Sequence, residues 1–168
     1  MERSGVINIY KEAGYTSHDV AAKLRGILKQ KKIGHTGTLD PQAQGVLPVC
    51  LGKGTKLCDL LADHDKEYEA VLRLGITTDT QDMEGTILKE SSVQVSEEEV
   101  RTCILSFQGE QQQVPPMYSA LKVNGKKLYE LAREGKVVER KARPVTFHNI
   151  EVLWMELPKV KIRVQCSK

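Results

Sequence analysis

The period of the apolar positions changes several times along the chain, and each change marks an element. Val6-Ile7-Asn8-Ile9-Tyr10 reads as an opening strand. From Thr16 the period turns helical: Val20, Leu24, Ile27 and Leu28 share one face. Thr16 or Ser17 caps this helix, with Asp19 in capping-box register after Thr16. Leu57, Leu60 and Leu61 predict a second helix ending near His64. From Lys66 to Leu74 the pattern alternates, with Tyr68, Ala70, Leu72 and Leu74 on one side, as a strand requires. Thr86-Ile87-Leu88 pairs back across a turn near Asp82–Gly85. Ser96 and Glu99 form a second capping box, opening a helix through Val100, Ile104 and Leu105. Beyond Pro115-Pro116, Tyr118 to Val123 reads as a strand closed by an Asn124-Gly125 turn. Leu128, Leu131 and Ala132 predict a short helix ended by Gly135. Two alternating runs, Ile150-Val152-Trp154 and Val160-Ile162-Val164-Cys166, predict an antiparallel pair turned near Pro158.

Strands outnumber helices and most links have hairpin length. The expected class is therefore α+β, with a largely antiparallel mixed sheet flanked by helices. At 168 residues the chain is long enough for one domain with a real core, and no repeat, low-complexity segment or linker interrupts it. A net charge of +3 does not by itself announce a nucleic-acid binder, but its distribution changes the picture. Lys23, Arg25, Lys29, Lys31 and Lys32 form one basic stretch, with Lys53 and Lys56 beyond it. Lys122, Lys126, Lys127, Arg133, Lys136, Arg140, Lys141 and Arg143 form another. Either stretch suits phosphates, although a charge run is most often a solvated face. Cys50, Cys58, Cys103 and Cys166 lack C-x-x-C spacing and sit among apolar neighbours, as free thiols do. No apolar run approaches a membrane span and the start lacks a signal-peptide core, so a reduced cytoplasmic setting is expected.

Candidate chemistry concentrates in Gly34-His35-Thr36-Gly37-Thr38-Leu39-Asp40-Pro41-Gln42-Ala43-Gln44-Gly45-Val46-Leu47. Glycines at 34, 37 and 45 permit turns closed to other residues, and Pro41 pushes Asp40 out of helical geometry. A bare Asp-Pro is usually only a surface turn. The whole string, however, resembles the catalytic motif of the TruB family of pseudouridine synthases, which isomerise a uridine in the T-loop of transfer RNA. The resemblance extends to Gly14-Tyr15-Thr16-Ser17, Lys31-Lys32-Ile33 and Leu47-Pro48-Val49-Cys50-Leu51-Gly52-Lys53-Gly54-Thr55-Lys56. It continues through Lys66-Glu67-Tyr68, Gly75 to Asp82, Val114 to Lys122 and Arg143-Pro144-Val145, and is weakest between Ile87 and Gln113.

That resemblance implies a pseudouridine synthase fold and Asp40 as the catalytic carboxylate. The reaction breaks the bond from ribose C1′ to N1 and rejoins C1′ to C5 of the same base. No redox change occurs and no group is lost, so no cofactor or metal is expected. One acid suffices because the base is both leaving group and incoming nucleophile, unlike glycoside hydrolysis with its activated water. Covalent attack and proton abstraction from the sugar both remain open routes for it. A base inside a folded loop must be extruded and stacked. Tyr68 matches the family's stacking tyrosine, and His35 matches a histidine that holds the flipped loop. Asp82 is a candidate supporting acid, while Tyr118 and Lys122 lie where the family keeps substrate-side groups. Read without the family, these would be a strand tyrosine, a structural histidine and a turn aspartate. The implied partner is the T-arm of tRNA, with no membrane, guide RNA or obligate protein partner. A binding module that grips the T-arm without chemistry is the competing reading. Gly52-Lys53-Gly54-Thr55 fails as a phosphate loop on spacing, and Asp63-His64-Asp65 reads as a polar helix end rather than a metal site.

The chain departs from the family at its end, Gln165-Cys166-Ser167-Lys168. There the family runs on into Gly-Thr-Tyr-Ile-Arg, whose arginine pairs with the catalytic aspartate, and later into a small RNA-binding PUA domain. Residues 1–168 are therefore expected to be a partial, C-terminally truncated catalytic domain without that PUA domain. A partly buried Asp40 lacking its cation would carry an uncompensated desolvation cost, so the chain alone is expected to be inactive or nearly so. An open edge on the final strand would add a tendency to associate.

Overall fold

A computed structural model describes residues 2–119, 121–123 and 125–168. They form two compact units, Met1–His64 with Lys168, and Asp65–Ser167. Nothing in the composition around His64 marks the division, since no Pro/Gly/Ser-rich linker lies there.

The first unit is a three-stranded antiparallel sheet backed by a helix. Strand β1 (Gly5–Lys11) precedes helix α1 (Ser17–Leu28), followed by β2 (Ile33–His35) and β3 (Gly45–Leu51). The order is β1-β3-β2. A 3-10 helix over Gly52–Leu57 then leads into α2 (Cys58–Ala62). Thr16 caps α1 and exchanges hydrogen bonds with Asp19, the predicted capping box, a device that contributes about 1 kcal/mol. Ala21, Ile33, Leu47, Val49 and Leu51 make the core, with Ile9, Val20, Leu24, Leu28 and Leu39 packed against it. Ile27, expected on the same face, is 67% exposed. It lies at the rim of the helix stripe, beside β1, which is an edge strand.

Strand β3 is not among the elements expected from the sequence. Yet it is the central strand, and the register explains why Pro48 is tolerated. The Pro48 carbonyl accepts from the Thr36 N–H at 3.1 Å, so its missing donor also points toward the β2 side. There β2 has already ended, at His35 opposite Val49. The ladder to β1 loses nothing, and the missing donor faces Thr36, one residue past the end of β2.

The second unit centres on a four-stranded antiparallel sheet, β4-β11-β10-β7. In chain order it contains β4 (Lys66–Arg73), the hairpin β5 (Ile76–Thr78) and β6 (Ile87–Glu90), and α3 (Glu97–Leu105). Next come β7 (Gly109–Gln113), the short pair β8 (Lys122–Val123) and β9 (Lys126–Lys127), and α4 (Leu128–Arg133). The long strands β10 (Arg143–Glu156) and β11 (Lys159–Cys166) close it. The Ser96–Glu99 capping box and the β5–β6 hairpin appear as predicted. The final pair is also as expected, although β10 starts at Arg143, where Arg143 to Phe147 pair with the unforeseen strand β7.

Three expectations are corrected. The final strand has no open edge, because β10 and β4 both pair along β11. Strand β4 exposes both faces, with Tyr68 at 47% and Leu72 at 37%, so its alternation marks no buried side. Tyr118 lies in a bend, and among the described residues of the predicted 118–123 strand it is Lys122 and Val123 that pair as a strand, with Lys127 and Lys126. Ala120 and Asn124, and with Asn124 the predicted turn, lie outside the described residues.

Candidate active site

The loop between β2 and β3 carries Asp40 and is tied down at almost every backbone turn. Its entry is set by Thr36, buried and bonded to Pro48. The Leu39 N–H donates to Ser17 Oγ at 2.9 Å, so the first residue of α1 holds the loop's middle. A tight turn follows, with the Ala43 N–H donating to the Asp40 carbonyl at 3.0 Å. Further on, Tyr10 Oη donates to Gln44 Oε1 at 3.0 Å. Gly45 restarts the sheet at φ +140°, a backbone conformation glycine adopts readily.

The strongest anchor is one that pattern reading missed. Lys11, at the end of β1, is fully buried. Its ammonium donates to three backbone carbonyls: Tyr15 at 2.7 Å, and Glu12 and Pro41 at 3.1 Å each. The three N–H donors thus match three acceptors, which is what a buried ammonium needs. The Pro41 carbonyl also accepts from the Gly14 N–H at 2.9 Å. The peptide between Pro41 and Gln42, one residue past Asp40, is therefore held from two directions. The only sequence signal was a lysine closing an apolar strand, and that position is equally ordinary on a surface.

Asp40 itself is exposed, and no described residue donates to its carboxylate. The burial on which the expected desolvation cost rested is absent. His35 is half-buried at the end of β2, and its Nδ1–H donates to the Gly37 carbonyl at 2.6 Å. A carbonyl only accepts, so Nδ1 carries a proton, and in the tautomer this selects Nε2 is the acceptor. Asp40 and His35 thus share one loop. The glycines divide by role: Gly34 has the Cys58 Sγ at 3.1 Å from where a Cβ would stand, while Gly37 meets nothing within 4 Å.

The other predicted residues belong to the second unit, on four separate segments. Tyr68 is on β4 opposite Val164, Tyr118 is in its bend, and Lys122 on β8 faces Lys127. Asp82 organises the turn between β5 and β6. Its Oδ1 accepts from Thr80 Oγ1 at 2.6 Å and from the Glu84 N–H at 2.9 Å. The Thr80 hydroxyl, helped by the Glu84 and Gly85 N–H groups, holds the Asp82 carboxyl below its ordinary range.

The two basic stretches differ. In the second, Lys126 and Lys136 both pair with Glu134, at 3.5 and 2.7 Å, and Lys127 Nζ donates to Tyr129 Oη at 3.2 Å. In the first, Arg25 donates to the Lys31 and Ile33 carbonyls and Lys23 to Tyr15 Oη, and no salt bridge is formed among the described residues. No group of three or more His, Cys, Asp and Glu among them is placed to hold a metal ion. No helix among them is long and apolar enough to cross a membrane.

Residues 25–168 match the model of the TruB family pseudouridylate synthase N-terminal domain. The tRNA pseudouridine synthase B of Clostridium novyi is 58% identical over 165 residues, covering 98% of this chain and 57% of the relative. That of Lachnoclostridium phytofermentans is 61% identical, covering 98% and 56%. The chain thus spans somewhat over half the length of these curated relatives. Among solved structures, a Cbf5-Nop10-Gar1 complex matches with TM-score 0.73 and 34% identity, over 97% of this chain and 39% of that one. A second match, TM-score 0.67 at 30% identity, is an H/ACA RNP bound to a substrate RNA containing 2′-deoxyuridine.

Proposed function

Because the chain belongs to the TruB family of pseudouridylate synthases, we propose that it forms the N-terminal part of a tRNA pseudouridine synthase's catalytic domain, with Asp40 acting on a T-loop uridine. One observation carries this reading. The carboxylate is exposed on a loop whose backbone is held by Lys11, Gly14 and Ser17, so the acid is positioned without being used. The substrate is an extruded nucleotide, which has to reach the acid from solvent. Asp40 either attacks C1′ or takes a proton from the sugar, and the glycosidic bond to N1 yields to the bond from C1′ to C5. In this scheme His35 offers Nε2 to the RNA, Tyr68 stacks on the flipped base, and Tyr118 and Lys122 contact the substrate side. Asp82 supports its own turn. The reaction proceeds in the cytoplasm, where tRNA is processed, without cofactor or guide RNA.

The test is tritium release from a T-arm RNA carrying uridine labelled at C5, because forming the carbon–carbon bond expels that hydrogen. It is run on this chain and on a version extended to the length of the relatives. Release by the extended protein that disappears in Asp40→Asn supports the reading, and RNA binding without release by either sinks it in favour of a binding module. The solved complexes raise a second reading, dependence on a guide RNA. Turnover only after a guide RNA is added would establish it.

A further inference from the structure

The sheet of the first unit has a second face, opposite the one packed on α1, and two of the four cysteines meet there. Leu47, Val49 and Leu51 point into the core with Ala21. Alternation along β3 therefore turns Cys50 to the other side, where it is fully buried. Gly34 of β2 is its cross-strand partner. Paired residues of antiparallel strands direct their Cβ positions to the same face, about 4.5–5.5 Å apart. The Cβ position of Gly34 lies 3.1 Å from Cys58 Sγ, so the Cys58 sulfur hangs directly beside the Cys50 side chain. The absence of a side chain at residue 34 is what makes room for it.

The geometry points to Cys50 and Cys58 as a reversible oxidation site, in which hydrogen peroxide converts the pair to a disulfide that clamps α2 to β3 beneath the strand ending in His35. Cys58 is the half-buried member, so the oxidant meets it first. Its sulfur attacks the peroxide oxygen, giving a sulfenic acid and water. The Cys50 sulfur then attacks the Cys58 sulfur, and the sulfenic oxygen leaves as a second water with the Cys50 proton. Two thiols are oxidised by two electrons and one peroxide is reduced. Burial, with the hydrogen bond to Cys58, pushes the Cys50 thiol up to about 11. Cys50 is accordingly inert toward outside reagents and serves only as the resolving thiol, reacting because it is held in contact. Cys103, which is exposed, is the internal reference for an unassisted thiol.

The chain is titrated with hydrogen peroxide, digested without reductant and mapped by mass spectrometry. A peptide linking Cys50 to Cys58, two hydrogens lighter than the separate thiols and reversed by dithiothreitol, is expected at peroxide levels that oxidise Cys103. Cys58→Ser should abolish the link with unchanged circular dichroism, although mapping of the unsubstituted chain decides the matter by itself. Cys58 passing to sulfinic or sulfonic acid with Cys50 still a thiol would overturn the proposal. So would a pair that stays reduced while Cys103 is oxidised.

Discussion

Two loops in this molecule carry an aspartate that the sequence singles out, and they use it in opposite ways. In the loop of residues 36–44 the structural work is done by others. Lys11, Gly14 and Ser17 hold the backbone on either side of Asp40, and the carboxylate faces solvent. In the turn of residues 78–86 the carboxylates are the scaffold. Asp82 binds Thr80 and Glu84, and Asp79 Oδ1 accepts from the Thr86 N–H at 2.8 Å. Thr78 Oγ1 closes the turn on the Asp82 carbonyl at 2.8 Å. A carboxylate relieved of structural duty is available for chemistry, whereas one that builds its own turn is committed. The difference separates the two residues where their sequence contexts, each an aspartate among threonines and a glycine, do not.

The sharpest way to break the comparison is at Asp40. Asp40→Asn should lower tritium release by the full-length protein by roughly 10³-fold, or to background, as expected for loss of an acid–base or nucleophilic group. Its melting temperature should barely change, because exposed substitutions of this kind stay within about 0.5 kcal/mol. A large loss of stability would mean that Asp40 is structural after all. Next comes Lys11→Met, which removes the buried ammonium that joins the Glu12, Tyr15 and Pro41 carbonyls and leaves Pro41 only its bond from Gly14. We expect a cost of about 2–4 kcal/mol by denaturant unfolding. If the variant is nearly as stable as the parent, the loop is not held as described.

These two residues also show what could be read in advance. The family motif and the turn chemistry around Asp40 are local in sequence, as are the capping boxes at Thr16 and Ser96, and all were legible. Lys11 was not, because its role depends on burial by segments distant in the chain. Strand β3 was hidden because Pro48 is harmless only where β2 happens to stop. Strand β7, Gly-Glu-Gln-Gln-Gln, has no apolar alternation at all and exists through its pairing with β10. Within the turn at 78–86 the opposite holds: it is built from neighbours in sequence, and the bland turn reading of Asp82 describes its contacts well.

The second loop should be the less tolerant of added bulk. A Cβ at Gly85 would collide with Thr80 Oγ1 and stand 2.5 Å from Asp79 Oδ1. Both oxygens already hold hydrogen bonds, so neither gives way freely. Gly85→Ala should cost about 1–3 kcal/mol, measured as a shift in the unfolding midpoint. Asp82→Asn removes less, about 1 kcal/mol at neutral pH. Its pH signature is specific. The folded carboxyl lies below its ordinary range, so the stabilisation is complete above the unfolded value, about 4, and fades as pH falls through the lower folded value. The advantage of the parent over Asp82→Asn should therefore be flat from pH 7 to about 5 and shrink below about 4. A gap that widens toward acid would contradict the turn-building role.

The smallest effect is the one that best isolates the contrast. Gly37, inside the Asp40 loop, has no heavy atom within 4 Å of its Cβ position and no left-handed φ. Sequence reading had grouped it with Gly34 and Gly45 as a conformational necessity, but only the other two are constrained, by the Cys58 sulfur and by backbone angle. Gly37→Ala should leave stability within about 0.5 kcal/mol, and a small gain is reasonable because alanine restricts the unfolded chain. Activity is then the informative readout. If the space beside residue 37 is where RNA approaches, the added methyl should weaken T-arm binding by the full-length protein while stability is unchanged. Unchanged binding would place the RNA elsewhere on the loop and leave the openness around Gly37 without a function.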